Sequence, residues 1–297
     1  MEIRSVALLT NPISGKGRAI KASDIAYRRL RQQGIQVEVL TGGNEADSQR
    51  LAKEAINSGD FSALVVCGGD GLITTALQSQ AQSGFPLGII PAGTGNDHAR
   101  QYGIPLDVEA AVDVIVQGNA ITTDLGIMRT PNAEKWFGTI ACCGWDSLVT
   151  ERTNRISWPK GALRYIAAGL IEFALLRSLP ADIVLDDAEL HEPISMITIG
   201  NTRTYGGGKP ICKNADPQSG NFHVTIVKSV SRRRGLYTFP TVMAGMMKNK
   251  DIEVHYARKV TLNMSGAPLY ADGDKFAFPP AEIECIPGAG KYLVPKC

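Results

Sequence analysis

Over its first 126 residues the chain alternates short apolar runs of strand length with stretches whose apolar positions recur every three or four residues. Residues 5–10, 35–40, 63–67 and 87–90 read as strands, their continuous apolar character fitting burial on both faces. Between them, residues 19–33 place Ala22, Ile25, Ala26 and Leu30 on one helical face, and residues 45–58 place Leu51, Ala52, Ala55 and Ile56 on another. Residues 72–81 and 108–117 are also helix-compatible, and Gly34 and Gly59 stand where a helix would stop. Repeated strand–helix units with short connections predict a parallel sheet covered by helices on both sides.

Beyond Gly126 the pattern changes. Strand-like segments dominate at residues 136–142, 182–185, 194–200, 222–228, 254–256, 260–264 and 283–286, with turn signals at Asp186-Asp187 and Gly220-Asn221. Helical stretches interrupt them near 162–177 and 236–247, the first expected to be mostly a core helix. The expectation is an α/β domain over 1–126 followed by a mostly antiparallel β domain over 127–297.

Composition narrows this only slightly. A chain of 297 residues with 44% hydrophobic content has ample core for two domains. A net charge of +2 selects neither nucleic acid nor an acidic partner, and no nucleic-acid role is expected. The six cysteines form no Cys-x-x-Cys pair and the four histidines no zinc-like spacing, which fits a reduced, cytoplasmic protein. The opening residues lack a signal-peptide layout, and the most apolar helical stretch, 162–176, carries Arg164 and Glu172 and is too short to span a bilayer. A soluble protein is expected, with contact to a membrane face left open.

The candidate chemistry lies in three glycine-rich turns, each following a predicted strand: Asn11-Pro12-Ile13-Ser14-Gly15-Lys16-Gly17, Gly68-Gly69-Asp70-Gly71, and Gly93-Thr94-Gly95-Asn96-Asp97. Glycines without Cβ atoms let phosphate approach backbone N–H groups, and the carboxyl ends of parallel strands are where α/β sheets bind ligands. A carboxylate at such a turn, Asp70, repels phosphate unless a cation mediates, which suggests Mg²⁺-nucleotide. A bare strand-to-helix turn explains any one of these motifs equally well; three converging turns favour a nucleotide site. Lys16 and Arg18 could meet phosphate oxygens. There is no Gly-x-x-x-x-Gly-Lys-Ser/Thr, which excludes a P-loop nucleoside triphosphatase, and no Gly-x-Gly-x-x-Gly opening a first helix. In the second half, Tyr205-Gly206-Gly207-Gly208 is too glycine-rich for a core strand. Asp272-Gly273-Asp274 is either a hairpin turn or a pair of working carboxylates, and Arg232-Arg233-Arg234 is either a solvated helix start or a dock for anionic lipid.

Taken together, Asn11-Pro-Ile-Ser-Gly, Gly68-Gly-Asp-Gly and Pro91-Ala-Gly-Thr-Gly-Asn-Asp resemble the catalytic domain of the diacylglycerol kinases, a family that includes sphingosine and ceramide kinases. The likeness extends through Asp124-Leu-Gly, Gly144-Trp-Asp-Ser, Tyr205–Gly208 and Asp272-Gly-Asp, and is strongest to the soluble bacterial members. It implies a Rossmann-like nucleotide domain related to phosphofructokinases and NAD kinases, then a β-sandwich, with ATP, Mg²⁺ and a lipid hydroxyl in the cleft between them. By the resemblance, Asn11, Ser14, Gly15, Lys16, Thr41, Gly68, Gly69, Asp70, Gly71, Gly93, Thr94, Asn96 and Asp97 would form the nucleotide site. Asp70 would organise Mg²⁺, with Asp124 and Lys16 in a supporting network. Asp274, aided by Asp272 and Asp70, would be catalytic as general base toward diacylglycerol, giving phosphatidic acid for phospholipid biosynthesis. Peripheral attachment to the inner face of the membrane and a homodimer are further family expectations.

Three departures stand out. The family pattern continues Gly-Gly-Asp-Gly-Thr-x-Asn-Glu, whereas Leu72, Ile73, Thr74 and Thr75 follow here. The base is usually glutamate, one methylene longer than Asp274. A structural Mg²⁺ of some members uses an aspartate where this chain has Ser219, leaving Asp216 as the nearby substitute ligand. Another lipid alcohol (sphingosine, ceramide or monoacylglycerol), NAD as acceptor, or a nonenzymatic nucleotide-binding regulator are the alternatives.

Overall fold

The computed structural model describes residues 1–11, 18–158, 162–247 and 249–296; Ser14, Gly15 and Lys16 lie outside the described residues. The chain divides into two compact units, Met1–Leu125 with Gly206–Gly208 and Pro287–Cys297, and Gly126–Tyr205 with Lys209–Ile286. The change of pattern at Gly126 therefore coincides with a unit boundary, but the division is not the single cut expected. The last strand and a glycine triplet return to the first unit.

In the first unit, β1 (Ser5–Thr10), α1 (Arg18–Gln32), β2 (Gln36–Thr41), α2 (Glu45–Ser58), β3 (Ala63–Gly68), α3 (Asp70–Gln80) and β4 (Leu87–Pro91) follow the predicted strand–helix alternation. Then come α4 (Asp97–Gln101), α5 (Val108–Gln117) and β5 (Ala120–Thr130). Strands run in the order β2-β1-β3-β4, all parallel. Helices α1 and α5 pack together against one face, where Ala19, Ala22, Ala26, Leu30, Val112 and Ile115 meet Val6, Leu8 and Val65 of the strands. Helices α2 and α3 pack together on β1 and β3. Helix α2 is closed by its sequence: Asn44 caps its start through Asp47 N–H, and Gly59 ends it at φ 78°. Ile25, assigned to the inner face of α1 by periodicity, is exposed.

The second unit continues with β6 (Ala133–Phe137), β7 (Ile140–Gly144), α6 (Trp145–Arg155), α7 (Ala162–Ala174), β8 (Ala181–Leu185), β9 (Ala188–His191), β10 (Ile194–Gly200) and β11 (Phe222–Lys228). It is completed by α8 (Arg232–Met243), β12 (Ile252–Ala257), β13 (Lys259–Met264), β14 (Leu269–Ala271), β15 (Asp274–Ala277) and β16 (Ala281–Leu293), the last strand crossing into the first unit. One antiparallel sheet runs β12-β11-β10-β7-β14-β15. Facing it, β13 lies between β8 and β16, with β9 beside β8 and the β5–β6 hairpin beside β16. Their inner faces share one core in which Phe137 stacks on Phe222 at 5.7 Å between centroids. This is the antiparallel sandwich the resemblance implies.

Two differences from the sequence reading have clear causes. The single strand expected over 136–142 is broken into β6 and β7, because Gly138 and Thr139 donate their N–H groups to Asp272 instead of a strand ladder. Helix α7, expected mostly as core, turns Leu163, Ile166 and Leu170 to solvent. No helix among the described residues is long and apolar enough to cross a membrane.

Gly126 pairs directly with Phe137, and a Cβ there would fall within 2.1–2.7 Å of the Phe137 ring. We expect Gly126→Ala to cost about 1–3 kcal/mol through overpacking, read by urea unfolding, with Phe137→Leu recovering part of the loss in the double variant. Unchanged stability in Gly126→Ala would contradict this packing.

Candidate active site

Strand register, rather than any single motif, assembles the site in the first unit. Thr10 is level with Thr41 on β2 and with Cys67 on β3, and Gly68 is level with Pro91 on β4. The carboxyl ends of four parallel strands therefore carry Asn11, Thr41, Gly68–Gly71 and Gly93–Asp97 along one edge of the sheet. Asn11 is half-buried and Thr41 exposed there.

The second and third turns are pressed together. A Cβ on Gly93 would lie 2.5 Å from Gly69 Cα, and a Cβ on Gly69 would lie 3.1 Å from Gly93 Cα. The approach requires glycine at 93 and leaves little room for a methyl group at 69. Asn96, in the left-handed region at φ 52°, fastens the turn by accepting the Gly93 N–H on Oδ1 at 2.9 Å. Thr94 Oγ1 accepts from the Arg18 guanidinium at 3.2 Å, and Arg100 Nε donates to Gly95 O at 3.1 Å. Arg18, at the start of α1, thus brings a cation to the third turn.

The close approach brings two carboxylates to one place. Asp70 Oδ1 accepts the His98 backbone N–H at 3.2 Å and lies 3.3 Å from His98 Nδ1. His98 is fully buried, while the Asp70 side chain keeps 19% exposure. Burial opposes the Asp70 charge, but the His98 ring and the backbone N–H groups of His98 and Asp97 outweigh it, holding its carboxyl below the ordinary range. Asp97 behaves oppositely. Burial raises its pKa, with a further push from Asp70, although it accepts N–H groups from Gly207 at 3.1 Å and Gly208 at 3.0 Å. Gly207 and Gly208 have φ of 82° and 98°, which suits glycine. Between the carboxylates stands Gly95, whose added Cβ would lie 3.0 Å from Asp70 Oδ2 and 3.1 Å from Asp97 Oδ2. By contrast, a Cβ on Gly71 would meet nothing within 4 Å, so protein packing does not account for glycine at that position.

Helix α3 begins immediately after Gly69 with no side-chain cap on its first N–H groups. Such an end favours phosphate. Among the described residues no group of three or more His, Cys, Asp or Glu side chains forms a ready-made metal cage. Asp124 is buried on β5 and accepts the Gly288 N–H at 3.0 Å, tying β5 to β16.

In the second unit the Asp-Gly turn proves to be a hairpin and more. Asp272 and Gly273 join β14 to β15 with φ of 51° and 86°, the pair of positive angles of a two-residue hairpin. The Asp272 carboxylate accepts from Gly138 N at 2.9 Å, Thr139 N at 2.8 Å and the Thr139 hydroxyl. It is committed to holding the turn. Asp274 starts β15 with 43% of its side chain exposed and pairs with Lys135 Nζ at 3.2 Å. Asp216, considered above for Mg²⁺, is exposed and accepts the Gln218 N–H at 3.0 Å in a local turn. Asp146 of the Gly144-Trp-Asp-Ser motif is buried in α6, where burial raises its pKa against hydrogen bonds from Tyr205 and Cys142.

His98 and Lys135 are the polar partners that sequence reasoning missed. His98 directly follows Asn96-Asp97, so its place in the motif was the available signal; Lys135 gave none, since its partner is 139 residues away.

The Asp70 geometry carries a pH-dependent stability term. Its folded pKa is depressed, so the ionised carboxylate favours folding above the ordinary carboxylate range, and that contribution is lost as pH falls through the depressed value. Asp70→Asn should cost about 1–3 kcal/mol at pH 7 in urea unfolding, with the difference shrinking in acid. A difference independent of pH would contradict it.

Comparison with known proteins agrees with this architecture. Residues 5–128 match the family model described as diacylglycerol kinase catalytic domain, and residues 139–294 match that of the YegS C-terminal NAD kinase beta sandwich-like domain. The chain is 45% identical over 300 residues to a protein of Mycobacterium tuberculosis (strain ATCC 25618 / H37Rv) named diacylglycerol kinase, covering 99% of this chain and 96% of that one. It is 27% identical to "Probable lipid kinase YegS-like" of Cronobacter sakazakii (strain ATCC BAA-894), covering 94% of each. In fold it resembles a solved diacylglycerol kinase structure from Bacillus anthracis str. Sterne, with a TM-score of 0.75, 17% identity and coverage of 99% and 98%. With both halves matched in order and a full-length relative at this identity, the chain belongs to the diacylglycerol kinase family of lipid kinases.

Proposed function

We propose that this protein transfers the γ-phosphoryl group of ATP to the free hydroxyl of diacylglycerol, forming phosphatidic acid. The observation that carries the chemistry is the cradle around Gly95, where a Cβ would fill the space beside Asp70 and Asp97 at the open end of helix α3. The choice of diacylglycerol rests on the name of the Mycobacterium tuberculosis relative.

The residues take distinct parts in this reading. Backbone N–H groups at the start of α3 and of the Gly93–Asp97 turn bind phosphate oxygens, with Gly71 leaving room for close approach. Asn11, Thr41 and Thr94 border the nucleotide along the same strand ends. Asp70, ionised and partly exposed, is the carboxylate that fits Mg²⁺, whose charge would neutralise phosphate oxygens when bound with the nucleotide. Asp97 and Asn96 hold the glycine loops in place, and Asp124 braces β5 against β16. Asp274 accepts the hydroxyl proton as the hydroxyl oxygen bonds to the γ-phosphorus and ADP leaves. Asp272 positions that carboxylate by fixing the hairpin, and Lys135 holds its charge and orientation.

Purified protein incubated with γ-labelled ATP, Mg²⁺ and mixed micelles of diacylglycerol, monoacylglycerol, ceramide or sphingosine, with NAD in a separate arm, tests this directly. Label is expected in phosphatidic acid, and Asp274→Asn should lower kcat by on the order of 10²- to 10⁴-fold while leaving ATP binding intact. Preferential labelling of another lipid or of NAD would overturn the assignment of diacylglycerol. ATP binding with no labelled product in any arm would overturn the kinase reading itself.

A further inference from the structure

The strand that carries Asp274 is short and lies at the edge of its sheet. β15 has four residues, and its one strand neighbour among the described residues is β14. A strand held on one side only belongs to the part of a fold that opens locally at low cost. Asp272 fixes the turn and Lys135 meets Asp274 itself, while the residue that follows is held from helix α6.

The hold is a single side chain. Glu151 of α6, its side chain 16% exposed, accepts the Tyr270 hydroxyl of β14 at 2.6 Å and pairs with the Lys275 ammonium of β15 at 3.2 Å. Tyr270 and Lys275 stand opposite each other across the hairpin, so one carboxylate ties both strands to the helix. Successive side chains of a strand point to opposite faces. Lys275 therefore turns to α6, while Asp274 turns to Lys135 of β6. Arg155, one turn further along α6, pairs with the same carboxylate and restrains it from behind.

The Tyr270 bond is the strong member of the set. Tyr270 is buried, and a hydroxyl donating to an ionised carboxylate makes a charge-assisted bond. The Tyr270 hydroxyl, helped by Arg155 and Lys275, holds the Glu151 carboxyl below its ordinary range against the opposing effect of burial. Burial and the Glu151 charge push Tyr270 up to about 12. At neutral pH the acceptor keeps its charge and the donor its proton. The pairs to Lys275 and Arg155, whose side chains are 40% and 74% exposed, add less to stability. What sets this cluster apart from an ordinary surface network is its place, one residue from Asp274.

We propose that Glu151 and Tyr270 are positioning residues for Asp274: they clamp the β14–β15 hairpin to α6 and so hold the Asp274 carboxylate where an acceptor hydroxyl can meet it. This rests on the general-base reading of Asp274, and the experiment separates the two. Glu151→Ala, Tyr270→Phe and Glu151→Gln would be compared with wild type, alone and combined with Asp274→Asn, below the melting temperature of every variant. Amide hydrogen exchange of the full chain is the first readout. Exchange over residues 274–277 should rise on the order of tenfold in Glu151→Ala and Tyr270→Phe, with β10 and β11 as in wild type. Turnover of γ-labelled ATP is the second. In both variants kcat should fall on the order of tenfold with KM for ATP unchanged, because a displaced base weakens the chemical step and not nucleotide binding. Glu151→Gln, whose amide oxygen still accepts the Tyr270 hydroxyl, should recover part of both losses. Added to Asp274→Asn, Glu151→Ala should cost little more, since groups that act as a unit are not additive, whereas a merely structural role would multiply the two losses. Unchanged exchange in Glu151→Ala and Tyr270→Phe would overturn the clamp, and fully multiplied losses or an effect on KM for ATP alone would overturn the positioning role. If Asp274→Asn turned over like wild type, or no lipid were labelled at all, the general-base reading would fall, and the exchange result alone would uphold or overturn the clamp.

Discussion

Two glycines pressed backbone to backbone organise the candidate site of the first unit. Gly69 and Gly93 approach so closely that a methyl group on Gly93 would collide with the facing Cα at 2.5 Å. Everything else at the first unit's candidate site follows from that contact. It sets Asp70 against His98, brings Asp97 beside them, and leaves Gly95 as the one residue between two carboxylates. Burial then separates the two acids electrically. Asp70 has a histidine and backbone donors and stays ionised, whereas Asp97 is pushed upward and serves to hold Gly207 and Gly208. Neighbouring carboxylates whose environments drive their pKa values apart take different roles. Here one is suited to a cation and the other to structure.

The second unit solves a similar problem with another device. Asp274 must be held at a defined place on a short strand, and the rigid element supplied is a hairpin whose turn residue, Asp272, accepts two backbone N–H groups and a hydroxyl from the β6–β7 break. The break costs ladder hydrogen bonds at Gly138 and Thr139, but the carboxylate replaces them, so no backbone donor there is left unmet. A hairpin turn and a working carboxylate pair, which looked like alternatives, are compatible in one motif.

What could be read from the chain was what local physics determines. Strands such as 5–10, 194–200 and 222–228 and the helix over 108–117 occur as their apolar patterns predict, because burial on a parallel or sandwiched sheet leaves a plain signature. The glycine turns were legible as turns at the carboxyl ends of strands, where the strand register places them. Long-range pairing was not. The split of the strand over 136–142 depends on an aspartate more than 130 residues away, and the Lys135–Asp274 pair is equally distant in sequence. Helix α6 was overlooked because its opening was read as a motif; it begins at Gly144, whose φ of 97° starts the turn from β7. The apolar character of residues 162–176 suggested a core helix, but composition carries no information about which side meets solvent, and Leu163, Ile166 and Leu170 are exposed. Ser14, Gly15 and Lys16 lie outside the described residues, so Asn11 is the first glycine turn's described residue and Arg18 follows it at the start of α1.

The central claim is that the space beside Asp70 exists for the nucleotide and its Mg²⁺, and Gly95→Ala tests it most directly. Gly95 does not have a positive φ, so its backbone accepts alanine, and the new methyl group would occupy the cradle about 3.0 Å from Asp70 Oδ2. Isothermal titration of Mg²⁺-ATP into wild type and variant, beside a thermal melt of each, separates binding from folding. The account predicts an ATP affinity lower by on the order of tenfold or more with a melting temperature close to wild type. Equal affinity in the two proteins would contradict it.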